Sequence, residues 1–174
     1  TGSSEGLFVG GVIGGVWQAR SSATDNIIHS GLKNYGNVTL GGSYSVSGKR
    51  SCAGGIVADI FGYGELYNCL NEGIIKCEPT QGTTVPTTIR LGGIIGTATS
   101  AGKTYPPTIK CEYCINKGEV IAKSFTAGNY VIAGGIVGYA YNQNSITFIL
   151  KDCGNSGKIA FDGMTSTQNG YVSG

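Results

Sequence analysis

Ala133-Gly134-Gly135-Ile136-Val137-Gly138 decides how the rest of the chain is read, because nearly the same six residues occur three more times. The other copies are Val9-Gly10-Gly11-Val12-Ile13-Gly14, Ala53-Gly54-Gly55-Ile56-Val57-Ala58 and Leu91-Gly92-Gly93-Ile94-Ile95-Gly96, and the second glycines of consecutive copies lie 44, 38 and 42 residues apart. A second unit alternates with the first and has the form apolar or Cys, any residue, Asn, any residue, Gly. It reads Leu32-Lys33-Asn34-Tyr35-Gly36, Cys69-Leu70-Asn71-Glu72-Gly73, Cys114-Ile115-Asn116-Lys117-Gly118 and Cys153-Gly154-Asn155-Ser156-Gly157. Self-similarity at this period marks a repeat array in which each unit buries its apolar face against its neighbours.

The repeats are built of strands. Sustained helical periodicity is missing, and glycine costs a helix about 1 kcal/mol per position relative to alanine. After each Asn-x-Gly unit the apolar residues alternate: Val38 and Leu40, Ile75 and Cys77, Val120 and Ala122, Ile159 and Phe161. Period two puts these pairs on one face and Thr39, Lys76, Ile121 and Ala160 on the other. Before each unit Ile27 and His29, Gly64 and Leu66, Ile109 and Cys111, Phe148 and Leu150 match in the same way. Asn-x-Gly is therefore a corner, since Asn bonds its own backbone in turns and Gly accepts positive φ.

Marker glycines of the two units fall 17 to 25 residues apart. That spacing predicts an all-β solenoid, a right-handed parallel β-helix of about eight turns of ~20 residues, roughly 40 Å tall at ~4.8 Å per turn. Stacked corners would align Asn34, Asn71, Asn116 and Asn155 as an amide ladder.

Residues 1–6 read as a polar lead-in and 7–174 as one repeat domain, with repeats over 7–50, 51–88, 89–130 and 131–168. Residues 169–174 echo the approach to the fourth glycine-rich unit and read as the start of a further repeat, so the array is expected to continue or to be completed by another chain. The stretches 41–51, 78–88 and 97–108 vary in length and composition and hold all four prolines, which keeps proline out of central strands. Loops there are where a rigid stack would carry specificity.

Net charge is +2, spread without a basic cluster, so nucleic acid is not an expected partner. No apolar run approaches the 18 or so residues needed to span a bilayer. The glycine pairs are not phosphate loops, because no Walker lysine and no following helix accompany them.

Six cysteines are present, and an even number invites disulfides in an exported chain. Repeat alignment points instead to core thiols: Cys69, Cys114 and Cys153 share a column with Leu32, and Cys77 shares one with Leu40, Ala122 and Phe161. Cys111-Glu112-Tyr113-Cys114 has C-x-x-C spacing, yet no second pair and no suitable histidine follows, so no metal is expected. His29, the single histidine, lies in the column of Leu66, Cys111 and Leu150, which leaves no catalytic triad to assemble. The ten acidic residues recur in no shared column, as a glycan-cleaving carboxylate pair would require. No catalytic residue and no cofactor are expected. Several tyrosines, Tyr44, Tyr63, Tyr105, Tyr113, Tyr139 and Tyr141, lie in or beside variable segments and are suited to sugar or protein contacts. Asn37-Val38-Thr39 is a glycosylation sequon at Asn37.

Gly134-Gly135-Ile136-Val137-Gly138-Tyr139, followed by Asp152-Cys153-Gly154-Asn155-Ser156-Gly157-Lys158-Ile159, resembles the GLUG-motif repeats of secreted bacterial proteins. The resemblance implies a surface adhesin or a repeat region appended to an exported peptidase, and it supplies no catalytic residue. The expectation is a non-enzymatic, extracellular or cell-surface module whose loops bind a protein or glycan. The alternative is a filament subunit that self-associates head to tail through open solenoid ends.

Overall fold

The computed structural model describes residues 6–18, 27–42, 50–79, 88–99, 108–123, 130–141, 147–163 and 169–173. Tyr44, Tyr105, Pro86, Pro106, Pro107 and most of the lead-in lie outside the described residues. Among the described residues there are 21 strands and no helix. The first repeat holds β1 (Phe8–Gly10), β2 (Ile13–Gln18), β3 (Ile28–Ser30), β4 (Lys33–Asn34) and β5 (Val38–Gly42). The second holds β6 (Arg50–Gly54), β7 (Val57–Gly62), β8 (Gly64–Tyr67), β9 (Leu70–Asn71) and β10 (Ile75–Pro79). The third holds β11 (Thr88–Gly92), β12 (Ile95–Thr99), β13 (Thr108–Glu112), β14 (Ile115–Asn116) and β15 (Val120–Lys123). The fourth holds β16 (Tyr130–Gly134), β17 (Val137–Tyr141), β18 (Thr147–Lys151), β19 (Gly154–Asn155) and β20 (Ile159–Asp162), and β21 (Asn169–Ser173) follows.

Every strand pairs in parallel with the one five places on, which makes five sheets: one of five strands and four of four. The protein is thus a parallel β-solenoid, but its coil is longer than the sequence spacing predicts. Five strands make one coil, and one coil consumes a whole long repeat. Four coils stack, with β21 laid on β16 as the first strand of a fifth. The expected eight turns of ~20 residues are corrected to four of about twice that length, and the height falls to about 19 Å at the strand spacing. The physical reason is that the two glycine signatures are two corners of the same coil, not successive rungs. Strands β6, β11 and β16 each begin one residue ahead of the repeat boundaries drawn from the sequence.

Alternation places the side chains as expected. Val38, Leu40, Ile75, Cys77, Val120, Ala122, Ile159 and Phe161 line one core with Ala53, Leu91 and Ala133 from the β1-β6-β11-β16-β21 sheet. A second core forms between the sheets of β2-β7-β12-β17 and β3-β8-β13-β18, from residues such as Ile60, Leu66, Ile95 and Ile109. Between the two cores each coil is pinched. A Cβ added to Gly11 would stand 2.6 Å from Asn34 Cγ, and one on Gly135 would stand 2.5 Å from Asn155 Cγ. The glycine pair is therefore what allows the opposite wall, carrying the Asn corner, to approach.

The variable stretches are narrower than their composition suggests. Pro79 is the last residue of β10, paired with Gly42, so proline does enter a strand, at the end where its missing N–H costs least. Thr97 and Thr99, expected in a loop, are buried residues of β12.

A further column was not foreseen. Gly31, Asn68, Tyr113 and Asp152, each three residues before a ladder asparagine, all have positive φ, at 69°, 51°, 55° and 51°. A left-handed conformation costs a residue other than Gly or Asn about 1–2 kcal/mol. The Lys151 ammonium lies 5.8 Å from the Tyr113 ring and offsets part of that cost. Tyr113→Asn is expected to raise unfolding free energy by about 0.5–1 kcal/mol, read from urea melts; a loss of stability would show that the ring contact outweighs the strain.

Candidate functional site

The four corner asparagines form one column, paired residue to residue in β4, β9, β14 and β19. Nδ2 of Asn34 donates to Oδ1 of Asn71, Asn71 to Asn116 and Asn116 to Asn155, each at 2.7 Å. The second proton of each amide goes to the carbonyl two residues on, in Gly36, Gly73, Gly118 and Gly157, at 2.8, 2.8, 2.8 and 2.9 Å. Asn71 and Asn116 are fully buried. With donors and acceptors consumed internally, this column holds coils together and offers little to a ligand.

All six cysteines are free thiols. Cys69, Cys114 and Cys153 occupy successive coils of one column, and Cys111 stands beside them in the adjoining strand. The Sγ atoms of Cys111, Cys114 and Cys153 lie within 4.8 Å of one another, with Cys153 Sγ 3.8 Å from Cys111 Sγ. Hydrogen bonding to Cys114 and Cys153, with burial, pushes the Cys111 thiol up, whereas hydrogen bonds from Cys111 and Cys69 pull Cys114 down. Cys153 is lowered to about 7, chiefly by its hydrogen bond with Cys111. Cys77, in the other core, is raised to about 12 by burial and then by the Glu78 charge. C-x-x-C spacing shows only Cys111 and Cys114, with no second pair and no histidine to complete a site; the third thiol, Cys153, comes from the next coil. In an eight-turn stack another turn would separate successive members of the cysteine column; with one coil per repeat they are neighbours.

A second feature was invisible in the repeats. The outer faces of the β1-β6-β11-β16-β21 and β2-β7-β12-β17 sheets turn toward each other beyond the glycine corner. Phe8 meets Trp17 edge to face at 6.0 Å, Cys52 Sγ lies 2.8 Å from Thr97 Oγ1, and the Arg90 guanidinium sits 3.8 Å above the Tyr139 ring. The Trp17 indole N–H donates to Oδ2 of the fully buried Asp59 at 3.0 Å, and Tyr139 stacks on Tyr141. Trp17 is nonetheless 60% exposed and Tyr141 44%, so this strip has an apolar, aromatic mouth over a polar floor. Of the other tyrosines named from the sequence, Tyr113 is exposed and Tyr63 is buried.

Several carboxylates are engaged by lysines of neighbouring coils or of the same strand. Glu65 holds Lys110 at 3.4 Å and accepts from the Tyr67 hydroxyl at 3.0 Å, which raises the phenol above its ordinary value. Glu72 pairs with Lys117 at 3.0 Å. Glu78 pairs with Lys76 and Lys123 at 2.9 and 3.1 Å, and these two ammoniums hold its carboxyl below the usual range. His29 aligns with Leu66, and the exposed Asn37 accepts the Ile74 N–H through Oδ1 at 3.0 Å. Among the described residues no helix is long and apolar enough to cross a membrane. Comparison with family models, curated proteins and solved structures returned no match.

Proposed function

We propose that the chain is a non-enzymatic binding module of the adhesin kind, built from GLUG-like repeats and working at a cell surface or outside the cell. The observation that carries this reading is the aromatic strip. Trp17 and Tyr141 stand near the C-terminal ends of β2 and β17, in one column with Phe61 and Thr99, and both rings are exposed. Exposed aromatic faces suit the apolar face of a sugar ring or a peptide side chain. Glu65, Glu72 and Glu78 are each paired with lysine, which suits charge pairing between and within coils better than general acid–base work at those three carboxylates.

Binding to arrayed glycans and matrix proteins tests the reading. The expected result is a ligand retained by the intact chain and lost in Trp17→Ala and Tyr141→Ala with the β-sheet spectrum unchanged; an array with no ligand, or turnover of an arrayed glycan, would contradict it.

Filament formation has its own supporting observation. Among the described residues, β3, β4 and β5 at one end and β18, β19 and β20 at the other each pair along one edge, and the amide column runs from Asn34 to Asn155. A second copy could extend both. Sedimentation that stays monomeric as concentration rises would remove this alternative.

A further inference from the structure

We infer that Cys111, Cys114 and Cys153 form a binding site for a soft, low-coordinate metal ion of the Cu(I) class. The inference is independent of the ligand reading above.

Three sulfurs that converge from two adjacent coils are already at the spacing such an ion needs. A metal–sulfur bond of about 2.3 Å in a three-coordinate site sets its sulfurs about 4.0 Å apart. Cys153 Sγ lies 3.8 Å from Cys111 Sγ and all three thiols are within 4.8 Å of one another, so sulfur movements of less than about 1 Å close the site. Rotation of the side chains requires little else to break. Cys153 Sγ is near the carbonyls of Cys111 and Lys151 at 3.1 and 3.4 Å, and Cys114 Sγ near those of Glu112 and Leu66 at 3.3 and 3.7 Å. These are weak S–H donations that metal–thiolate bonds replace.

The donor set selects the ion. Three thiols without imidazole or carboxylate favour soft cations over calcium, magnesium or manganese. Cys69 lies one coil further along the same column and is not within the mutual 4.8 Å of the other three, so the tetrahedral set that structural zinc prefers is incomplete. Each cysteine that ligates as thiolate releases its proton to solvent, and the metal keeps its oxidation state. Cys111 and Cys114 are buried, while Cys153 is partly exposed and marks the side from which an ion enters.

The test is an anoxic titration of the reduced full chain with Cu(I) against a chromophoric Cu(I) chelator. One equivalent per chain is expected to be withheld from the chelator, with X-ray absorption reporting three sulfur neighbours. Cys153→Leu should weaken binding at least tenfold; Leu32 fills the equivalent place in the first coil, so the fold is retained and circular dichroism checks it. Cys111→Ser should do the same, and Cys77→Ala, in the column of Ala122, should leave binding unchanged. The proposal is overturned if the chelator keeps all the copper, if Cys153→Leu binds as tightly as the parent chain, if fewer than three sulfurs are counted, or if protein isolated without reductant carries a Cys111–Cys153 disulfide.

Discussion

Asn116→Ala is expected to cost about 4 kcal/mol of unfolding free energy. The Asn116 amide accepts from Asn71 and donates to Asn155 and to the Gly118 carbonyl, at 2.7, 2.7 and 2.8 Å, in a fully buried position. Truncation removes three hydrogen bonds and strands a donor below it and acceptors beside and above it. Each buried polar group left unsatisfied costs about 1–3 kcal/mol. Asn155→Ala provides the internal comparison. Asn155 is the last member of the column and is only partly buried, so the same truncation is expected to cost about 1 kcal/mol. Equal losses at the two positions, measured by chemical denaturation, would mean that the amides act as separate corners and not as a column.

Gly93→Ala is the second large effect, at about 3 kcal/mol or more. The added methyl would strike the Gly135 carbonyl oxygen and the Asn116 side chain, one being backbone and the other held from both sides. Neither can retreat without parting the corner from its neighbour, because Gly93 N–H is itself bonded to the Gly134 carbonyl at 3.1 Å. Gly154→Ala tests the same substitution where space is free: nothing lies within 4 Å of the added carbon. Its stability should be unchanged or slightly raised, since alanine also restricts the unfolded chain. A mild effect at Gly93 would show that the two walls of the coil are not in contact there.

Residue by residue, the sequence carried the strand faces well. Val120 and Ala122 face inward because period-two alternation and four aligned repeats say the same thing, and the pairing of Ile75 with Val120 and of Val120 with Ile159 follows from that alignment. The coil length was not legible. A Gly-Gly corner and an Asn-x-Gly corner look alike as chain reversals, and only their contact across the waist, Gly11 against Asn34, shows that they close one loop. That error also hid the third thiol of the cluster, Cys153. The left-handed column had a readable signal in Gly31, Asn68 and Asp152, residues suited to positive φ, but Tyr113 at the same place concealed it. The strip of Trp17, Asp59, Arg90 and Tyr139 had none. Asp59 and Tyr139 do share a column, with Gly15 and Thr97, but four such different side chains leave no repeated signature, and the contacts to Phe8, Cys52 and Arg90 come from a different sheet.

The central claim is that one long repeat makes one coil. Nitroxide labels at Thr39 and Ala160, on the outer face of the β20-β15-β10-β5 sheet, test it by dipolar electron paramagnetic resonance. Three strand spacings separate these positions, so a backbone separation of about 14 Å is expected. A separation near 29 Å, the value for a stack with two turns in every repeat, would contradict the account.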